Sequence, residues 1–404
     1  GQSLDAIIWA DDAPENLSAQ QLPCRPDAED FEPRLKALLR RYVVERCIYG
    51  VDLDPVAAEL CRLALWIETL DRELPMTFLD HKIKCGNSLV GAWSDQFMHY
   101  PLAAWRREGG DKGHKNGVHH TNDMWTGDIK SILSMSKVEI TDILDNTLDF
   151  MRPLDYERAM AELRQNLKSM DLLHSININD IAERTRQYAA MRLSPDFIAL
   201  KDAFDLWCAI WFWPGKHLDY APQPKDFALE RLDPYALELV RSVAAQNRFF
   251  HWELEFPDVF NEKTFGFDAI LGNPPWDIAK PKSQEFFSMH DPLYRAYGKQ
   301  RAIAKQKEYF SNEETEHAWI DYCASFKAMS NWVKTVAHPF GDGDGGISLG
   351  RPKNKYHERW QAKRGASASH PFQYQGGGDV NLYKLFLEQA HALAKNTGRI
   401  GFIV

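Results

Sequence analysis

Three short apolar segments of this chain each lead into a polar residue and a turn. Asp52 follows "CIYGV", Asn87 follows "KIKC" with one glycine between, and Asn273 follows "FDAIL" in the same way. The pair Asp54-Pro55 then signals the start of a helix. Recurring strand-turn-helix units imply a parallel sheet with helices on its faces, and ligands lie at the carboxyl ends of its strands. We therefore predict an α/β fold with these polar residues at one edge of the sheet.

Residues 90–266 separate the second predicted strand from the third, which is far more than a connection within an α/β unit needs. Helical periodicity over 136–151 and 153–170 predicts a unit of its own there. The aromatic segment 202–214 is interpreted as a core helix that Pro214 stops, in preference to a base-stacking surface. We divide the chain into a partial core (1–91), a mostly helical insertion (92–248), a core strand (249–285), a helix and loop insertion with basic stretches (286–375), and a core helix with a final buried strand (376–404).

The composition is that of a globular protein, with 44% hydrophobic and 26% charged residues. No stretch approaches the roughly 18 uninterrupted apolar residues of a membrane span, and the N-terminus lacks a secretory signal pattern. We expect a cytoplasmic protein. The net charge of −9 argues against a chain that coats nucleic acid over its whole surface, and it leaves room for a local basic cleft.

Metal binding is not indicated by the cysteines or the histidines. The six cysteines are scattered, with no close pair, so we expect reduced and mostly buried thiols. The glycine- and histidine-rich segment 99–122 is interpreted as a mobile loop. Its histidines, His114, His119 and His120, have no acidic or cysteine partner at ligand spacing, and we predict no metal site.

The two prolines of "ILGNPPW" define what this turn can bind. Pro274 and Pro275 have no N–H, so the backbone here presents carbonyl acceptors and no donors. The side-chain oxygen of Asn273 adds a further acceptor. The natural guest is an amino group with two hydrogens, such as the exocyclic nitrogen of adenine. Trp276 is placed to stack on the ring, at a typical gain of about 1–3 kcal/mol per base.

The ends of the first two strands suggest a nucleotide site. An acidic residue such as Asp52 can accept both hydroxyls of a ribose, although it could instead only help to cap the next helix, a task that Asp54 performs better. Leu53 could cover an adenine face. Asn87 could contact the edge of the same adenine, or "GNS" could simply be a turn.

These segments resemble a known family. "GVDLDP", "CGNSL", "FDAILGNPPW" and "GRIGFIV" are similar, in this order, to motifs of adenine-specific, gamma-type DNA methyltransferases of restriction-modification and phage-defence systems. "FFHWELEFPDVF" followed by "GFDAILGNPPW" is similar to the large type IIG group. The resemblance covers 42–90, 249–285 and 376–404.

The resemblance implies a Rossmann-like class I methyltransferase core, with helices on both faces of a parallel sheet and a large helical insertion. It also implies S-adenosylmethionine as cofactor and a target adenine flipped out of the duplex. By position, Asp52 matches the acid that binds the ribose, and 273–276 match the catalytic tetrapeptide. Asn87 stands where many relatives have an aspartate that reads the cofactor adenine.

One feature of the family is missing from this sequence. Its cofactor loop is rich in glycine and follows the first strand, whereas here the only glycine before Gly50 is Gly1. We expect a longer parent protein to carry the loop ahead of residue 1, and we expect this chain alone to bind the cofactor weakly or not at all. The domain that selects a DNA sequence usually follows the last motif, and we find no nuclease signature.

Basic residues gather after the tetrapeptide in stretches that suit phosphate contacts, or that form solvated helix faces. The predicted partners are double-stranded DNA and other subunits of a defence system, and no membrane. An amino methyltransferase acting on RNA or protein, and a degenerate module that binds DNA or proteins as a scaffold, remain open as alternatives. The residues predicted to contact DNA are Arg351, Lys353, Lys355, Tyr356, Arg359, Trp360, Lys363 and Arg364.

Overall fold

The computed structural model describes residues 27–71, 78–97, 100–121, 124–145, 156–172, 178–227, 232–261, 265–337, 339, 372, 375 and 379–403. No helix within these ranges is long and apolar enough to cross a membrane. The helices are α1 (Phe31–Cys47), α2 (Pro55–Glu68), α3 (Ser94–Phe97), α4 (Thr126–Asp145), α5 (Tyr156–Leu172), α6 (Ile178–Arg192), α7 (Pro195–Trp211), α8 (Pro234–Asn247), α9 (Trp252–Glu255), α10 (Ser283–Ser288), α11 (Lys299–Tyr309), α12 (Glu313–Thr335) and α13 (Leu382–Leu393).

The strands form two separate parallel pairs in the described residues. β1 (Gly50–Asp52) pairs with β2 (Ile83–Cys85), and β3 (Phe267–Gly272) pairs with β4 (Ala394–Phe402). Parallel pairing is as predicted. The described residues form a mixed α/β structure with two small sheets rather than the single sheet that the sequence suggested.

The chain is divided into two compact units. One comprises the described parts of 1–86 and 162–194, and the other comprises those of 87–161 and 195–404. β1 and β2 belong to the first unit, and β3 and β4 belong to the second.

The first unit has a small core built around its strand pair. It consists of Val44 of α1, Leu79 just before β2, and Ile83 of β2. Leu65 of α2 packs against them. A buried ion pair between Arg34 and Asp71, 2.9 Å long, ties α1 to the end of the segment that follows α2. Removing one partner of such a pair would leave an uncompensated buried charge and destabilise the unit.

Helix α2 begins where the sequence predicts. The side chain of Asp54 accepts a hydrogen bond from the N–H of Val56 at 2.9 Å, and Pro55 occupies the first helical position. Only Ala58 of this helix is buried. Its apolar stripe of Val56, Leu60, Leu63 and Ile67 is 42–61% exposed.

The second unit is built on α7, which the aromatic segment predicted as a core helix. Every residue from Asp202 to Trp211 is buried, so this part of the helix is enclosed on all sides rather than on one face. The rings of Trp207, Trp211 and Trp332 lie 5.5–5.8 Å apart, with Trp332 contributed by α12. The alternative of a base-stacking surface is wrong for these rings because they are buried.

Arg107 closes the carboxyl end of α7. Its guanidinium donates to the carbonyl oxygens of Trp211, at 2.8 Å, and Trp213. A cation at this position compensates the carbonyls that a helix end leaves without intrahelical partners. Burial lowers the pKa of Arg107 to about 10, which still leaves the side chain charged at neutral pH.

Two expectations about burial are wrong. No residue of β3 or β4 is buried, although the sequence predicted a buried final strand. Parallel strands become buried on both faces when helices cover both faces of a sheet, and this pair lacks that cover in the described residues. Three of the described cysteines, Cys47, Cys61 and Cys85, are exposed.

Candidate active site

The tetrapeptide 273–276 begins where β3 ends. Asn273, Pro275 and Trp276 are exposed, and Pro274 is buried. The N–H of Ile403 donates to the carbonyl oxygen of Gly272 at 3.0 Å, so the pairing with β4 holds the chain up to the residue before Asn273. A donor-free segment with two fixed φ angles therefore starts from a strand end that backbone hydrogen bonds anchor.

Trp276 stacks on Tyr383, in the first turn of α13. The ring centroids lie 4.8 Å apart and the ring planes are inclined by 26°. Trp276 nevertheless keeps 61% of its surface exposed. The indole is thus oriented by a second aromatic ring and is still accessible to a planar ligand.

Backbone hydrogen bonds fix the chain that follows Trp276 against the start of α13. The N–H of Leu382 donates to the carbonyl oxygen of Asp277 at 3.0 Å, and the N–H of Ala279 donates to that of Val380 at 2.9 Å. These bonds join the tetrapeptide to the helix that carries Tyr383. The contact between the two rings therefore rests on the backbone as well as on the side chains.

The lysines next to the tetrapeptide have acidic partners. Lys282 lies 3.0 Å from Glu285 and 3.1 Å from Asp277, and hydrogen bonds to these carboxylates raise its pKa above the ordinary value. Lys280 lies 3.8 Å from Asp379. Neighbouring carboxylates thus balance these two charges, which makes the lysines weaker candidates for phosphate contacts.

Asn87 opens the second unit and is held by the backbone around 248–250. Its N–H donates to the carbonyl oxygen of Arg248 at 2.6 Å, and it forms a parallel bridge with Phe249. The N–H of Phe250 then donates to the carbonyl oxygen of Val90 at 2.8 Å. The Asn87 segment is thus aligned with the start of the "FFHWELEFP" motif.

Three consecutive side chains of that motif fasten the loop 88–94. Each makes a hydrogen bond to it: His251 Nδ1 accepts from the N–H of Ala92 at 3.1 Å, Trp252 Nε1 donates to the carbonyl oxygen of Ser88 at 3.1 Å, and Glu253 accepts from the N–H of Ser94 at 2.5 Å. We call 251–253 the clamp. It gives a structural reason for the polar residues in an otherwise apolar motif.

The buried carboxylate of Asp205 holds the histidine of the clamp by a hydrogen bond. His251 accepts at Nδ1, so its other ring nitrogen carries the hydrogen and donates to Asp205 at 2.9 Å. Lys201 forms an ion pair with Asp205. Burial would raise the pKa of Asp205, but the bonds from His251 and Lys201 outweigh it and hold the pKa below its ordinary range.

The Asn87 side chain itself stabilises a turn. Its Oδ1 accepts a hydrogen bond from the N–H of Leu89 at 3.2 Å. The backbone carbonyl oxygen of Asn87 accepts one from the N–H of Val90 at 3.0 Å. The interpretation of "GNS" as a turn is therefore right. A contact between Asn87 and an adenine stays a prediction.

Asp52 is the last residue of β1, in the first unit. Its Oδ1 accepts from the N–H of Asp54 at 2.8 Å, and Asp54 caps α2 as predicted. Both Asp52 and the neighbouring Leu53 are exposed, and Leu53 keeps 53% of its surface accessible. An exposed carboxylate, which can accept hydrogen bonds from ribose hydroxyls, beside an exposed apolar side chain suits a ribose and a purine ring.

Comparison with known proteins supports a methylase. Residues 154–323 match the profile of the Eco57I restriction-modification methylase family. A protein of Methanocaldococcus jannaschii named "Putative type II restriction enzyme and methyltransferase" is 25% identical over 261 residues. The chain resembles restriction-modification DNA methyltransferases. The aligned part is 60% of this chain and 19% of that relative, and no solved structure matches.

The methylase match covers the tetrapeptide and the clamp but not Asp52 or Asn87. Residues 154–323 include α7, whose Asp205 supports the clamp, and β3, which ends at the tetrapeptide. The sequence pointed to the motif around the clamp only through its resemblance to a family. The signal available in the sequence was the run of three hydrogen-bonding side chains, histidine, tryptophan and glutamate, within an otherwise apolar stretch.

The predicted DNA contacts at 351–364 lie outside the described residues. Two other basic side chains downstream of the tetrapeptide already have partners. The guanidinium of Arg301 lies over the ring of Tyr297, 4.2 Å from its centroid, and Lys305 lies 2.7 Å from Glu308.

Proposed function

We propose that this protein transfers a methyl group from S-adenosylmethionine to the exocyclic amino group of adenine in DNA, within a restriction-modification or phage-defence system. One observation carries the proposal. The Asn-Pro-Pro-Trp segment, with Asn273, Pro275 and Trp276 exposed, follows a parallel strand inside the region that matches a methylase family.

The turn is suited to hold an amino group. The Asn273 side-chain oxygen and the Pro274 carbonyl accept its two hydrogens, and no N–H at 274 or 275 competes with them. Holding both hydrogens out of the ring plane weakens conjugation and leaves the nitrogen lone pair free to attack. When bound, S-adenosylmethionine supplies the methyl group. The methylated nitrogen then loses its extra proton readily, so the site needs no base with an unusual pKa.

Trp276 would stack on the flipped base. Its ring is held against Tyr383 and remains 61% exposed. Stacking on an aromatic side chain is insensitive to base identity, since every base has a π face. In this proposal the choice of an amino-bearing base therefore falls to Asn273 and Pro274.

The cofactor would be held by Asp52, Leu53 and Asn87. The exposed carboxylate of Asp52 can accept the ribose hydroxyls, and Leu53 can cover the adenine ring. Asn87 keeps its carboxamide at the end of the segment that the clamp fastens. We assign these residues to a Rossmann-like class I core in 1–91, 249–285 and 376–404, with insertions at 92–248 and 286–375.

Double-stranded DNA is the proposed substrate, and other subunits of a defence system are proposed partners. The basic and aromatic residues of 351–364 would contact its phosphates next to the flipped base. Such contacts position the duplex and do not select its sequence.

The test uses the full-length protein, labelled S-adenosylmethionine and duplex DNA. Digestion to nucleosides shows which base carries the label. We expect N6-methyladenine with the native protein and its loss with Asn273→Ala. Asn166→Ala is the matched control, because Asn166 is an exposed residue of α5, and it should methylate like the native protein.

Other outcomes would replace the proposal. Label on cytosine, RNA or protein would identify another amino group as the acceptor. Absence of both label and cofactor binding would identify a scaffold that has lost catalysis. Equal labelling by the native protein and Asn273→Ala would remove the tetrapeptide from the chemistry.

A further inference from the structure

Three side chains that are distant in sequence meet in the second unit. His114 ends a 3-10 turn (Lys112–His114), His120 follows a few residues later, and Glu316 lies in the first turn of α12. One possible ligand atom from each lies within 4.8 Å of the other two. The Glu316 side chain is 0% exposed and that of His120 is 5% exposed.

The spacing of these histidines along the sequence shows no acidic partner, and no metal site was expected from it. That premise is wrong, since Glu316 is such a partner. The ring nitrogen Nε2 of His114 lies 2.6 Å from Glu316 Oε1. Spacing along the sequence could not show this contact because the two residues lie on separate elements.

The hydrogen-bond pattern assigns the tautomer of His120. Its Nε2 lies 2.9 Å from the carbonyl oxygen of His114, which can only accept, so Nε2 carries the hydrogen. In a neutral ring, Nδ1 then presents a lone pair. This Nδ1 is buried, makes no hydrogen bond, and lies 3.8 Å from Glu316 Oε1. Two acceptors therefore face each other inside the protein at a distance that a hydrogen bond does not span.

The Glu316 carboxylate is held in place by backbone donors. The N–H of Val118 donates to Oε1 at 3.0 Å and the N–H of His119 donates to Oε2 at 2.8 Å. His114 Nε2 also lies within hydrogen-bond distance of Oε1, so both oxygens of this buried carboxylate are held in fixed positions.

Gly117 allows the turn to close over this carboxylate. A Cβ atom at this position would collide with Glu316 Oε1 and with the His120 ring. The N–H of Gly117 donates to the carbonyl oxygen of His120 at 3.1 Å, which closes the turn 117–120. The segment 112–120 is therefore shaped around Glu316, contrary to the mobile loop that the sequence suggested.

We propose that His114, His120 and Glu316 bind a divalent transition-metal ion of the zinc class, through His114 Nε2, His120 Nδ1 and Glu316 Oε1. Two imidazoles and a carboxylate are common zinc ligands, and they leave a fourth position for water or another ligand.

The distances suit such an ion. Metal–ligand bonds of about 2.1 Å in a tetrahedron place the ligand atoms about 3.4 Å apart. The separations of 2.6 Å and 3.8 Å from Glu316 Oε1 lie on either side of that value. The ion would replace the proton that His114 shares with Glu316, so small side-chain shifts are sufficient.

The bonds around the ligands also match a metal site. A histidine that ligates through one ring nitrogen usually donates its other N–H to a carbonyl or carboxylate, as His120 does to His114. The ion would join the turn 112–114 to the start of α12. Metal binding should therefore raise the thermal stability of the protein, because the unfolded chain does not hold these three groups together.

The experiment uses the full-length protein, stripped of metal with a chelator and titrated with zinc or cobalt(II). We expect one ion per chain and the visible absorption of four-coordinate cobalt. His120→Ala and Glu316→Gln should each weaken binding at least about 100-fold, since losing a ligand costs no less than losing a group that orients one. Glu314→Gln is the matched control. Glu314 is an exposed acidic residue in the same first turn of α12 and is not one of the three ligands, so this variant should bind as the native protein does.

Several outcomes would overturn the proposal. The proposal is wrong if the native protein binds neither zinc nor cobalt. It is also wrong if His120→Ala binds the metal as tightly as the native protein does. Circular dichroism separates lost binding from lost folding, and His114→Gln provides a second ligand variant if His120→Ala does not fold. Asn273→Ala should bind the metal normally, so this test and the methylation test can fail independently.

Discussion

Trp276 is accessible to a ligand while its orientation is fixed. Tyr383 holds the ring by stacking at 4.8 Å, and the exposed fraction of 61% shows that little of the indole contributes to a core. A change in activity on altering Trp276 would therefore report on base binding rather than on folding.

We predict that Trp276→Ala lowers single-turnover methylation of duplex DNA by roughly 5- to 150-fold, which is the loss of about 1–3 kcal/mol of base stacking. The free energy of unfolding of this variant should fall by only about 1 kcal/mol, which is the cost of losing the stacking between Trp276 and Tyr383. Trp276→Phe should retain most of the activity. Rapid-quench methylation and urea unfolding measure the two effects, and full activity of Trp276→Ala would contradict a stacking role.

At the scale of elements, the clamp shows how a short segment can position a distant loop. Each side chain of 251–253 makes a hydrogen bond to 88–94, and Asp205 of α7 holds His251. The two segments also approach closely through Gly91. A Cβ atom at Gly91 would overlap the backbone carbonyl of Phe250, which has little room to move.

We predict that Gly91→Ala destabilises the protein by about 1–3 kcal/mol, because the loop must shift away from the backbone of Phe250. Gly127→Ala is the matched control. Gly127 lies in α4 with no atom within 4 Å of an added Cβ, so this change should stabilise by about 0.5–1 kcal/mol. Urea unfolding of both variants checks the pair. A stable Gly91→Ala variant would show that the loop is not tightly fastened.

At the scale of the whole molecule, a net charge of −9 requires any DNA surface to be local. Several described basic side chains downstream of the tetrapeptide have acidic or aromatic partners, as Lys282 and Arg301 show. The stretch 351–364 therefore remains the main candidate for phosphate contacts in the proposed function.

We predict that replacing Arg359, Lys363 and Arg364 by alanine weakens DNA binding and lowers the salt dependence of the affinity. Each lost phosphate contact should reduce the slope of log K against log salt by about 0.9. Lys305→Ala is the control, because Lys305 is paired with Glu308. Fluorescence anisotropy across a salt series measures both quantities. An unchanged slope in the triple variant would place the DNA elsewhere.

The sequence by itself determined the local features of this protein. The start of α2 at Asp54-Pro55, the short strands that end near Asp52 and Asn273, and the core helix at 202–211 were all predictable. Proline geometry, helix caps and apolar periodicity act over a few residues, so their effects can be read from neighbouring letters. The acceptor character of 273–276 follows from the same local chemistry.

Only the tertiary structure decided which distant groups meet. It placed Glu316 against His114 and His120, His251 between Ala92 and Asp205, and Tyr383 under Trp276. It also left β3 and β4 exposed where the apolar letters suggested a buried sheet. Such contacts depend on how separate elements pack, and a side chain's sequence neighbours carry no information about which remote element will cover it.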